Sequence, residues 1–418
     1  MHHLRLLRMG TVASIALLTL AACGSSSTAN SNGTPIVIGY EAPLTGASAG
    51  PGNAEVDGWN LGLKTFGSKV DGHPIKSVIV DTQGDPTVAL ADAKTMVTVD
   101  NIDLLEGPLL ASEDAPVASY IEPTGIPTDD LSLCSEAQVV AYNTYHAGYS
   151  SGWACSQPAT VAAEYLYNDK GIRDITVAGS DYAFAWISLG AFAAEFEHLG
   201  GKIDKAIWAP LSTTDFSSYV LQIPPTTQAV FTTFVGAAND LFVNAYDSFG
   251  LKAKIPLYGN TTLTDYSVLP AEHPAAALGI QIIAQYCDGI QNPVNQKFNA
   301  DFFKAYGAYG SYYSEAGYTK ARLAISALAK LHGVATNHKA VIKALLSTPI
   351  VAARGPVKMN TSVYAPIQNI YVCQVENVNG HLSNVPIKTY KNVEPWGPMA
   401  EAQWSSLLAT DSAGRPSL

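Results

Sequence analysis

The sequence predicts an α/β protein with two lobes, each a doubly wound parallel sheet covered by helices. Apolar, β-branched runs alternate with helical stretches from residue 35 to about residue 350. Such an alternation is typical of parallel sheets that are buried on both faces. The series is interrupted once, at 132–157, by a segment rich in Tyr, Ser and Gly that we interpret as irregular. Each half of the series is close to the usual size of a domain, so the two halves predict two lobes in tandem.

The first half contains four strand–helix units. The predicted strands are 36–40, 75–81, 102–107 and 125–131, and the predicted helices are 53–66, 86–100 and 112–121. Asp85 followed by Pro86 is a typical helix start, because Asp caps the first turn and Pro suits the first helical position.

The second half repeats this arrangement. Its predicted strands are 174–179, 202–208, 229–235 and 255–258, and its predicted helices are 158–169, 184–199 and 238–249. After residue 258 the order changes to a strand at 278–287, helices at 296–306, 315–332 and 338–347, and strands near 369–376 and 383–389. If the chain visits both lobes again, it crosses between them near 286–292 and 354–360. We interpret 391–418 as a wrap or a loose tail.

The composition restricts the possible functions. Of 418 residues, 47% are hydrophobic and 14% are charged, which suits packed cores and excludes a disordered chain. The formal net charge is −11, and no run of basic residues occurs, so a nucleic-acid partner is disfavoured. Apart from the N-terminus, no apolar run is long enough to span a bilayer.

The N-terminus predicts an exported, membrane-anchored protein. Residues 1–22 combine Arg5 and Arg8 with a short apolar stretch, as in an export signal. The run around Cys23 (Leu-Ala-Ala-Cys-Gly) resembles the lipobox of bacterial lipoproteins, in which the cysteine becomes lipidated. Residues 23–34 then form a polar, flexible tether. The alternative is an ordinary signal peptide with an incidental cysteine.

Four further cysteines remain in the exported part. An even number favours disulfides, and four cysteines allow three pairings. We favour Cys134–Cys155, which closes a short loop, and Cys287–Cys373, which lie in two apolar strands that could be neighbours. Free buried thiols are the alternative.

Enzymatic motifs are weak. Ser48 lies in a GxSxG pattern after a strand and before a helix, but this is the first strand, so the preceding strands of an α/β-hydrolase are missing. A turn of small residues explains the pattern equally well. The sequence contains no phosphate-binding glycine loop, HExxH motif or Cys/His ligand spacing, so it predicts no cofactor and no metal.

The segments that follow the strands are a better candidate for a site. In open α/β sheets, ligands bind beyond the carboxyl ends of the strands. Here these ends are hydroxylic, amidic and aromatic, and the helix start at 112–113 could offer N–H groups to a carboxylate. The candidate ligand-binding residues are Ala111, Ser112, Glu113, Asp130, Ser132, Tyr182, Phe184, Phe234, Asn260 and Thr261. Helix capping is an equally good explanation of Ser112.

Several segments, in order, resemble the type I periplasmic binding proteins, and most of all the branch that serves branched-chain amino-acid and aromatic-acid ABC importers. They are IVIGYEAPLTG at 36–46, VDTQGDP at 80–86, GPL at 107–109, GIP at 125–127, DYAF at 181–184, TDFS at 214–217 and GLKAKIP at 250–256. The resemblance spans about 35–390.

The resemblance implies two lobes joined by three crossovers that close on a ligand. Lobe 1 would comprise 35–155 plus 288–357, and lobe 2 would comprise 156–287 plus 358–390. Ala111, Ser112 and Ser132 would receive the carboxylate of the ligand, while Phe184 and Phe234 would line the cleft.

Amino-acid binders of this group usually have an acid in the loop after the last strand of the second lobe, where this chain has Asn260-Thr261-Thr262. A buried ammonium without a carboxylate is costly, so an amino-acid ligand would need Asp130, Glu113 or Asp181 instead.

The sequence thus predicts a monomeric solute-binding lipoprotein of an ABC importer, without catalytic activity and in contact with the membrane only through its lipid. Its ligand would be an amino acid, an aromatic acid or an amide. The alternatives are a lipid-anchored sensor with the same fold and an anchored serine hydrolase.

Overall fold

The computed structural model describes residues 33–418. The export signal predicted at 1–22 and the lipidation predicted at Cys23 lie outside these residues. Within the described range, no helix is both long and apolar enough to cross a membrane.

The strands divide between two sheets. They are β1 (Ile36–Ala42), β2 (Lys69–Val70), β3 (His73–Asp81), β4 (Leu104–Glu106), β5 (Thr128–Leu133), β6 (Gly148–Ala154), β7 (Asp174–Ser180), β8 (Lys202–Ala209), β9 (Ala229–Thr233), β10 (Leu257–Asn260), β11 (Gln281–Ala284), β12 (Ile350–Ala352), β13 (Gly355–Met359), β14 (Pro366–Val378) and β15 (His381–Val393).

The α-helices cover these sheets. They are α1 (Ala49–Phe66), α2 (Pro86–Thr95), α3 (Ala111–Ile121), α4 (Glu136–Tyr145), α5 (Gln157–Glu164), α6 (Ala183–His198), α7 (Ser217–Val220), α8 (Ala238–Ser248), α9 (Pro274–Ala277), α10 (Pro293–Tyr306), α11 (Tyr312–Lys330), α12 (His338–Leu346) and α13 (Glu401–Asp411).

The first sheet has six strands in the order β2-β3-β1-β4-β5-β6. All its pairs are parallel except the short β2–β3 pair. On one face, apolar residues of α11 and α12 pack against β1 and β4 in a common core. Helices α1 and α11 approach each other very closely, because a Cβ at Gly58 would lie 1.9 Å from the Ser314 carbonyl oxygen.

The second sheet has nine strands. Its central order is β11-β10-β9-β7-β8, and these pairs are parallel. The long strand β14 is antiparallel to β11 and continues the sheet towards β13 and β12, while β15 also pairs with β14. The chain passes from β6 in the first sheet to β7 in the second, returns after β11 to the helices α11 and α12, and joins the second sheet again through β12, β13 and β14.

These observations confirm the predicted fold class of two mostly parallel, helix-covered sheets. The predicted strands and helices reappear with shifts of a few residues at their ends. The interpretation of 132–157 as irregular is wrong, because it contains α4 and the sixth strand of the first sheet, β6. Helix α4 has a start signal, since Ser135 Oγ accepts a hydrogen bond from the Gln138 N–H at 3.1 Å. Strand β6 (GYSSGWA) has little strand propensity, and burial of all seven residues against its neighbours stabilises it.

The C-terminal segment is not a loose tail. Helix α13 packs against α6 and α4, and Trp404 is almost fully buried. The Trp404 indole donates a hydrogen bond to Ser156 Oγ at 2.7 Å. The spacing of apolar residues in this short helix is weak, which explains why the sequence did not indicate it.

Both predicted disulfides are present. Cys134 pairs with Cys155, with Cα atoms 5.2 Å apart, and Cys287 pairs with Cys373, with Cα atoms 6.6 Å apart. The first links the carboxyl ends of the neighbouring strands β5 and β6. The second links the end of β11 to β14.

Candidate ligand site

A cavity lies between the two sheets, where the carboxyl ends of their parallel strands face each other. It contains about 290 Å³ of empty space, part of it open to solvent. The residues that line it are Leu109, Leu110, Ala111, Leu131, Ser132, Trp153, Tyr182, Phe184, Val235, Thr262, Tyr312 and Tyr313. This is the position in which open α/β sheets bind ligands.

The start of α3 supplies backbone donors to this cavity. The N–H groups of Glu113 and Asp114 donate to the Leu110 carbonyl oxygen at 2.8 and 3.3 Å. The N–H groups of Ala111 and Ser112 have no hydrogen-bond partner within residues 33–418. Because the positive end of the helix dipole lies here as well, this end of the cavity suits an anion.

Ser132 and Trp153 form the adjoining wall on β5 and β6. They are direct partners in the register of these parallel strands. The disulfide Cys134–Cys155 closes the two strands just beyond them and restricts how far the wall can open. The Trp153 Nε1–H is buried and has no partner within the described part of the chain. A buried donor without a partner is costly, so a ligand acceptor at this position would stabilise the site.

Tyr312 enters the cavity from the start of α11. Its hydroxyl is buried and has no partner among the residues that the structure describes. Its backbone N–H donates to Asp265 Oδ1 at 2.5 Å. Asp265 lies in the loop after β10, so this hydrogen bond connects a helix that covers the first sheet with a loop of the second. It therefore holds the two halves of the cavity together.

Aromatic rings continue across the cleft. The ring centroids of Trp153 and Tyr312 are 5.4 Å apart, those of Trp153 and Phe184 are 5.5 Å apart, and those of Phe184 and Tyr182 are 5.9 Å apart. These distances are typical of favourable aromatic pairs. The four rings come from both sheets, so a flat apolar ligand between them would contact both halves of the molecule.

Charged side chains are missing from the lining of this cavity, as far as residues 33–418 are concerned. The loop after β10 does contain an acid that the sequence analysis missed, Asp265. Its Oδ2 accepts hydrogen bonds from the Ser267 N–H at 3.0 Å and the Ser267 hydroxyl at 2.6 Å, while Oδ1 is occupied by Tyr312. Burial raises the pKa of Asp265 to about 6. This carboxylate is thus engaged within the protein.

Four of the ten predicted ligand residues line the cavity: Ala111, Ser132, Tyr182 and Phe184. The structure places the other six outside the lining. Ser112 is half-buried in the first turn of α3. Glu113 caps that helix, since its Oε2 accepts a hydrogen bond from the Leu110 N–H at 3.3 Å. Burial raises the pKa of Glu113 to about 7.

Asp130 belongs to a polar network inside the first half of the molecule. Its Oδ2 accepts hydrogen bonds from Gln138 Nε2 at 3.0 Å and from the Tyr142 hydroxyl. Burial raises the pKa of Asp130 to about 7, although these two hydrogen bonds favour the charged form. Asp130, a predicted ligand residue, is therefore directed into this network and not into the cavity lining. Tertiary packing of α4 over β5 decides its orientation.

Phe234, Asn260 and Thr261 are also directed elsewhere. Phe234 is fully buried in an aromatic core, with ring centroids 4.9 Å from Phe242 and 5.2 Å from Phe216. Thr261 donates to Gln285 Oε1 at 2.6 Å, and Asn260 Oδ1 accepts from the Thr261 N–H at 2.6 Å. Their neighbour Thr262 lines the cavity instead.

Several lining residues were not predicted from the sequence. Trp153 lies in the segment interpreted as irregular, and recognising β6 would have placed it at a strand end. Tyr312 and Tyr313 could have been found from Ser311, which caps α11 in a capping box with Ser314. No sequence signal identifies Leu131 or Val235, because apolar residues at strand ends are more often part of the core.

Behind this wall lies a buried ionic cluster, defined as Lys320, Glu55, Glu106 and Asp129. The Lys320 Nζ atom lies 3.1 Å from Glu55 Oε1, 3.9 Å from Glu106 Oε2 and 3.1 Å from the Asp129 carbonyl oxygen. All four side chains are fully buried. Burial raises the pKa of Glu106, and the neighbouring Asp129 raises it further, against the opposing effect of Lys320. The folded structure therefore disfavours the charged form of Glu106.

Ser48 shows no catalytic arrangement. Its side chain makes no hydrogen bond, to histidine or any other group, within the described range, although its carbonyl oxygen accepts a hydrogen bond from the Gly52 N–H at 3.1 Å. The GxSxG pattern is thus the turn of small residues that precedes α1.

Comparisons with known proteins agree with this geometry. Residues 35–381 match the model of a family described as periplasmic binding protein. The chain is 28% identical over 364 residues to the Leu/Ile/Val-binding protein homolog 6 of Brucella melitensis, and the match covers 85% of this chain and 92% of the relative.

Solved structures are also similar. An ABC transporter substrate-binding protein from Sphaerobacter thermophilus is 27% identical with a TM-score of 0.80, covering 86% of this chain and 98% of that chain. A solute-binding protein of an ABC transporter from Rhodopseudomonas palustris, in complex with p-hydroxybenzoic acid, is 26% identical with a TM-score of 0.80, covering 87% and 98%.

Proposed function

This chain belongs to the family of periplasmic binding proteins, and from that membership we propose that it captures a small aromatic carboxylate between two closing lobes. It is a solute-binding protein of an ABC transporter and not an enzyme. The partner that receives the ligand would be the membrane permease of that transporter. The absence of charged side chains from the cavity lining, within residues 33–418, is the observation that carries the choice of ligand.

The charge of the lining argues against an amino acid. A bound amino acid would bury its ammonium group with no carboxylate beside it, and burying an unpaired charge is costly. The three acids that could have compensated do not line the cavity. Glu113 caps α3, Asp130 is bonded to Gln138, and Asp181 pairs with Arg415 at 3.0 Å.

A carboxylate, in contrast, has suitable donors. We place it at the start of α3, against the N–H group of Ala111 and beside the Ser132 hydroxyl. Charge-assisted hydrogen bonds of this kind are stronger than neutral ones. The aromatic ring of the ligand would then lie between Trp153, Phe184 and Tyr312. The related protein from R. palustris, which is in complex with p-hydroxybenzoic acid, supports this class of ligand.

Closure follows from the position of the cavity. Ligand contacts that involve both lobes exist only when the lobes are together, so the ligand stabilises the closed form by this difference in affinity. We take lobe 1 as 35–155 plus 288–357 and lobe 2 as 156–287 plus 358–390. The hydrogen bond from the Tyr312 N–H to Asp265 would form on closure. We further propose that the chain is exported, monomeric and anchored through a lipidated Cys23.

The test is a thermal-shift series on residues 24–418 with benzoate, 4-hydroxybenzoate, benzamide, leucine and isoleucine. A ligand at about 100 times its dissociation constant stabilises the folded state by about 2.7 kcal/mol, which is readily measured. We expect the two benzoates to raise the melting temperature and benzamide to raise it less, because the amide lacks the charge. A shift with leucine or isoleucine alone would refute the proposed ligand class.

Variants then locate the site. The benzoate that gives the larger thermal shift is called the active benzoate. Phe184→Ala should weaken its binding about tenfold or more, since the substitution removes ring contacts in the cavity. Phe249→Ala is the matched control, because Phe249 is exposed and does not line the cavity. Trp153→Phe keeps an aromatic ring but removes the Nε1–H, and we expect about a tenfold loss of affinity. Calorimetric titration gives these values, and an unchanged affinity in Phe184→Ala would remove this residue from the site.

A further inference from the structure

Two open grooves adjoin each other on the outer side of α11 and α12. The first is lined by Arg322, Lys330 and Lys358 among apolar residues, and the second is lined by Lys339 and Lys343. The grooves meet at consecutive residues, Ser347 in the second and Thr348 in the first. We call these five cations and the surface between them the basic face. The sequence contains no basic run, so the fold alone creates this surface.

The basic face is not neutralised by the protein. Acidic residues line neither groove in the described part of the chain. None of the five cations forms an ion pair within residues 33–418, whereas Lys202, Lys297 and Lys388 each pair with an aspartate. The chain as a whole has 24 basic and 35 acidic side chains, so five unpaired cations on one face are a marked local excess. This excess suits an anionic partner surface.

The same face exposes apolar and aromatic groups. Tyr145, in the second groove, is 46% exposed, and Val351, in the first, is 52% exposed. Exposed tyrosine beside lysine is typical of surfaces that lie at a lipid headgroup layer, because the ring is apolar and its hydroxyl is polar. Clusters of four to eight lysine and arginine residues are likewise typical of binding to anionic lipid.

The chain enters the fold beside this face. The Gly33 N–H donates to the Gly72 carbonyl oxygen at 3.0 Å, and the neighbouring His73 ring packs closely against both Gly33 and Gly333. Gly333 follows the end of α11, whose last residue is Lys330. Gly33 is only ten residues from Cys23, so a lipid at Cys23 would hold this end of the molecule near the membrane.

We propose that the basic face lies against the anionic phospholipid surface to which the chain is tethered. The contact leaves the ligand cavity accessible, because α11 begins at Tyr312 in the cavity and ends at Lys330, and nineteen helical residues span roughly 28 Å. This inference rests on the lipid anchor of the proposed function. It adds that the membrane orients the protein as well as retaining it.

The test uses Cys23 because the other four of the five cysteines in the sequence form the two disulfides and are not available for coupling. Residues 23–418 are coupled through Cys23 to a maleimide lipid in vesicles of phosphatidylcholine alone or with about one-third phosphatidylglycerol. The rate of amine acetylation at each lysine is then measured by mass spectrometry. Lys202, Lys205 and Lys254 are the controls, since they are exposed and belong to the second-sheet half.

We expect Lys330, Lys339, Lys343 and Lys358 to react at least about fivefold more slowly on the anionic vesicles than on the neutral ones, with unchanged control lysines. The difference should disappear at about 1 M salt, where the Debye length is about 3 Å. Lys339→Glu with Lys343→Glu should restore fast labelling at Lys330 and Lys358, and Lys202→Glu with Lys254→Glu should not.

Equal rates at the four lysines on both kinds of vesicle would overturn the proposal, and an acidic protein surface would then be the partner that fits the basic face. The thermal shift with 4-hydroxybenzoate is measured on the same preparation. It reports on the ligand site independently, so loss of one result does not imply loss of the other.

Discussion

Replacing Lys320 by methionine is expected to destabilise the protein severely without touching the ligand cavity. Lys320 is the only cation within 4 Å of Glu55 and Glu106 in the part of the chain that the structure describes. Methionine has a similar length and volume but no charge. The substitution therefore leaves Glu55 buried with no counter-charge while it preserves the packing of α11.

The magnitude follows from the burial of this group. Removing one partner of a buried ion pair costs about 3–5 kcal/mol, because the remaining charge must stay desolvated or take up a proton. Burial alone lowers the pKa of Lys320, but Glu55, Asp129 and Glu106 raise it overall, so the ammonium is charged at all ordinary pH values. We expect the loss to lie within that range at pH 8 and to be smaller at pH 5.5, where Glu55 protonates more easily.

Glu106→Gln is the matched control. Since burial and Asp129 raise the pKa of Glu106, the folded state disfavours its charged form, and the neutral amide avoids this cost. At pH values between the usual pKa of a glutamate and the raised pKa of Glu106, the folded state holds a proton that the unfolded state lacks. The contribution of Glu106 to the free energy of unfolding therefore falls as the pH rises. Glutamine does not titrate. The variant should therefore be at least as stable as the parent protein at pH 8.

Urea unfolding followed by tryptophan fluorescence and circular dichroism at pH 5.5 and pH 8 measures both variants. A loss of unfolding free energy below about 1 kcal/mol in Lys320→Met would contradict this account of Lys320, as would an equal loss in Glu106→Gln. Binding of the active benzoate by folded Lys320→Met, measured at pH 5.5, checks that the effect is on stability.

Three more predictions concern stability. Burial raises the pKa of Glu113 and Asp130 to about 7 and that of Glu122 to about 8, so the folded state binds more protons than the unfolded one above pH 4.5. Unfolding free energy should fall from pH 5 to pH 8, and a rise measured by urea titration would contradict this. Removing the Cys134–Cys155 disulfide, whose cysteines are 21 residues apart, should lower the unfolding free energy by about 3 kcal/mol. Removing Cys287–Cys373, whose cysteines are 86 residues apart, should lower it by about 4–5 kcal/mol, because the longer loop gains more entropy in the unfolded chain. Calorimetry that shows the opposite order would contradict this entropic origin. Trp404→Ala should lower unfolding free energy by about 3–5 kcal/mol in the same titrations, whereas a loose C-terminus predicts no change.

The sequence predicted the general position of the cavity but only part of its lining. Ala111, Ser132, Tyr182 and Phe184 line it because they follow strands, and parallel strands end at the same edge of a sheet. Glu113 and Asp130 also follow strands, yet they turn inwards to α3 and to Gln138. A strand end specifies where a residue lies and not which neighbour competes for its side chain.

Trp153 shows the reverse case. Its segment contains glycine and serine residues that disfavour a strand, and only pairing with β5 and burial on both faces make it one. The local preference of the chain was weaker than the packing of the sheet. An indole that the sequence placed in an irregular segment therefore becomes a wall of the cavity.

By itself, the sequence determined the two series of strand–helix units, the edges at which ligands can bind and the two disulfides, because these depend on local periodicity and on the position of strands. Only the tertiary structure decided which strand ends face each other, that Lys320 meets Glu55 and Glu106, and that Arg322, Lys330, Lys339, Lys343 and Lys358 share one face. These groups are far apart or irregularly spaced along the chain. Sheet order and the passage of the chain between the two sheets bring them together, and neither leaves a periodic trace in the sequence.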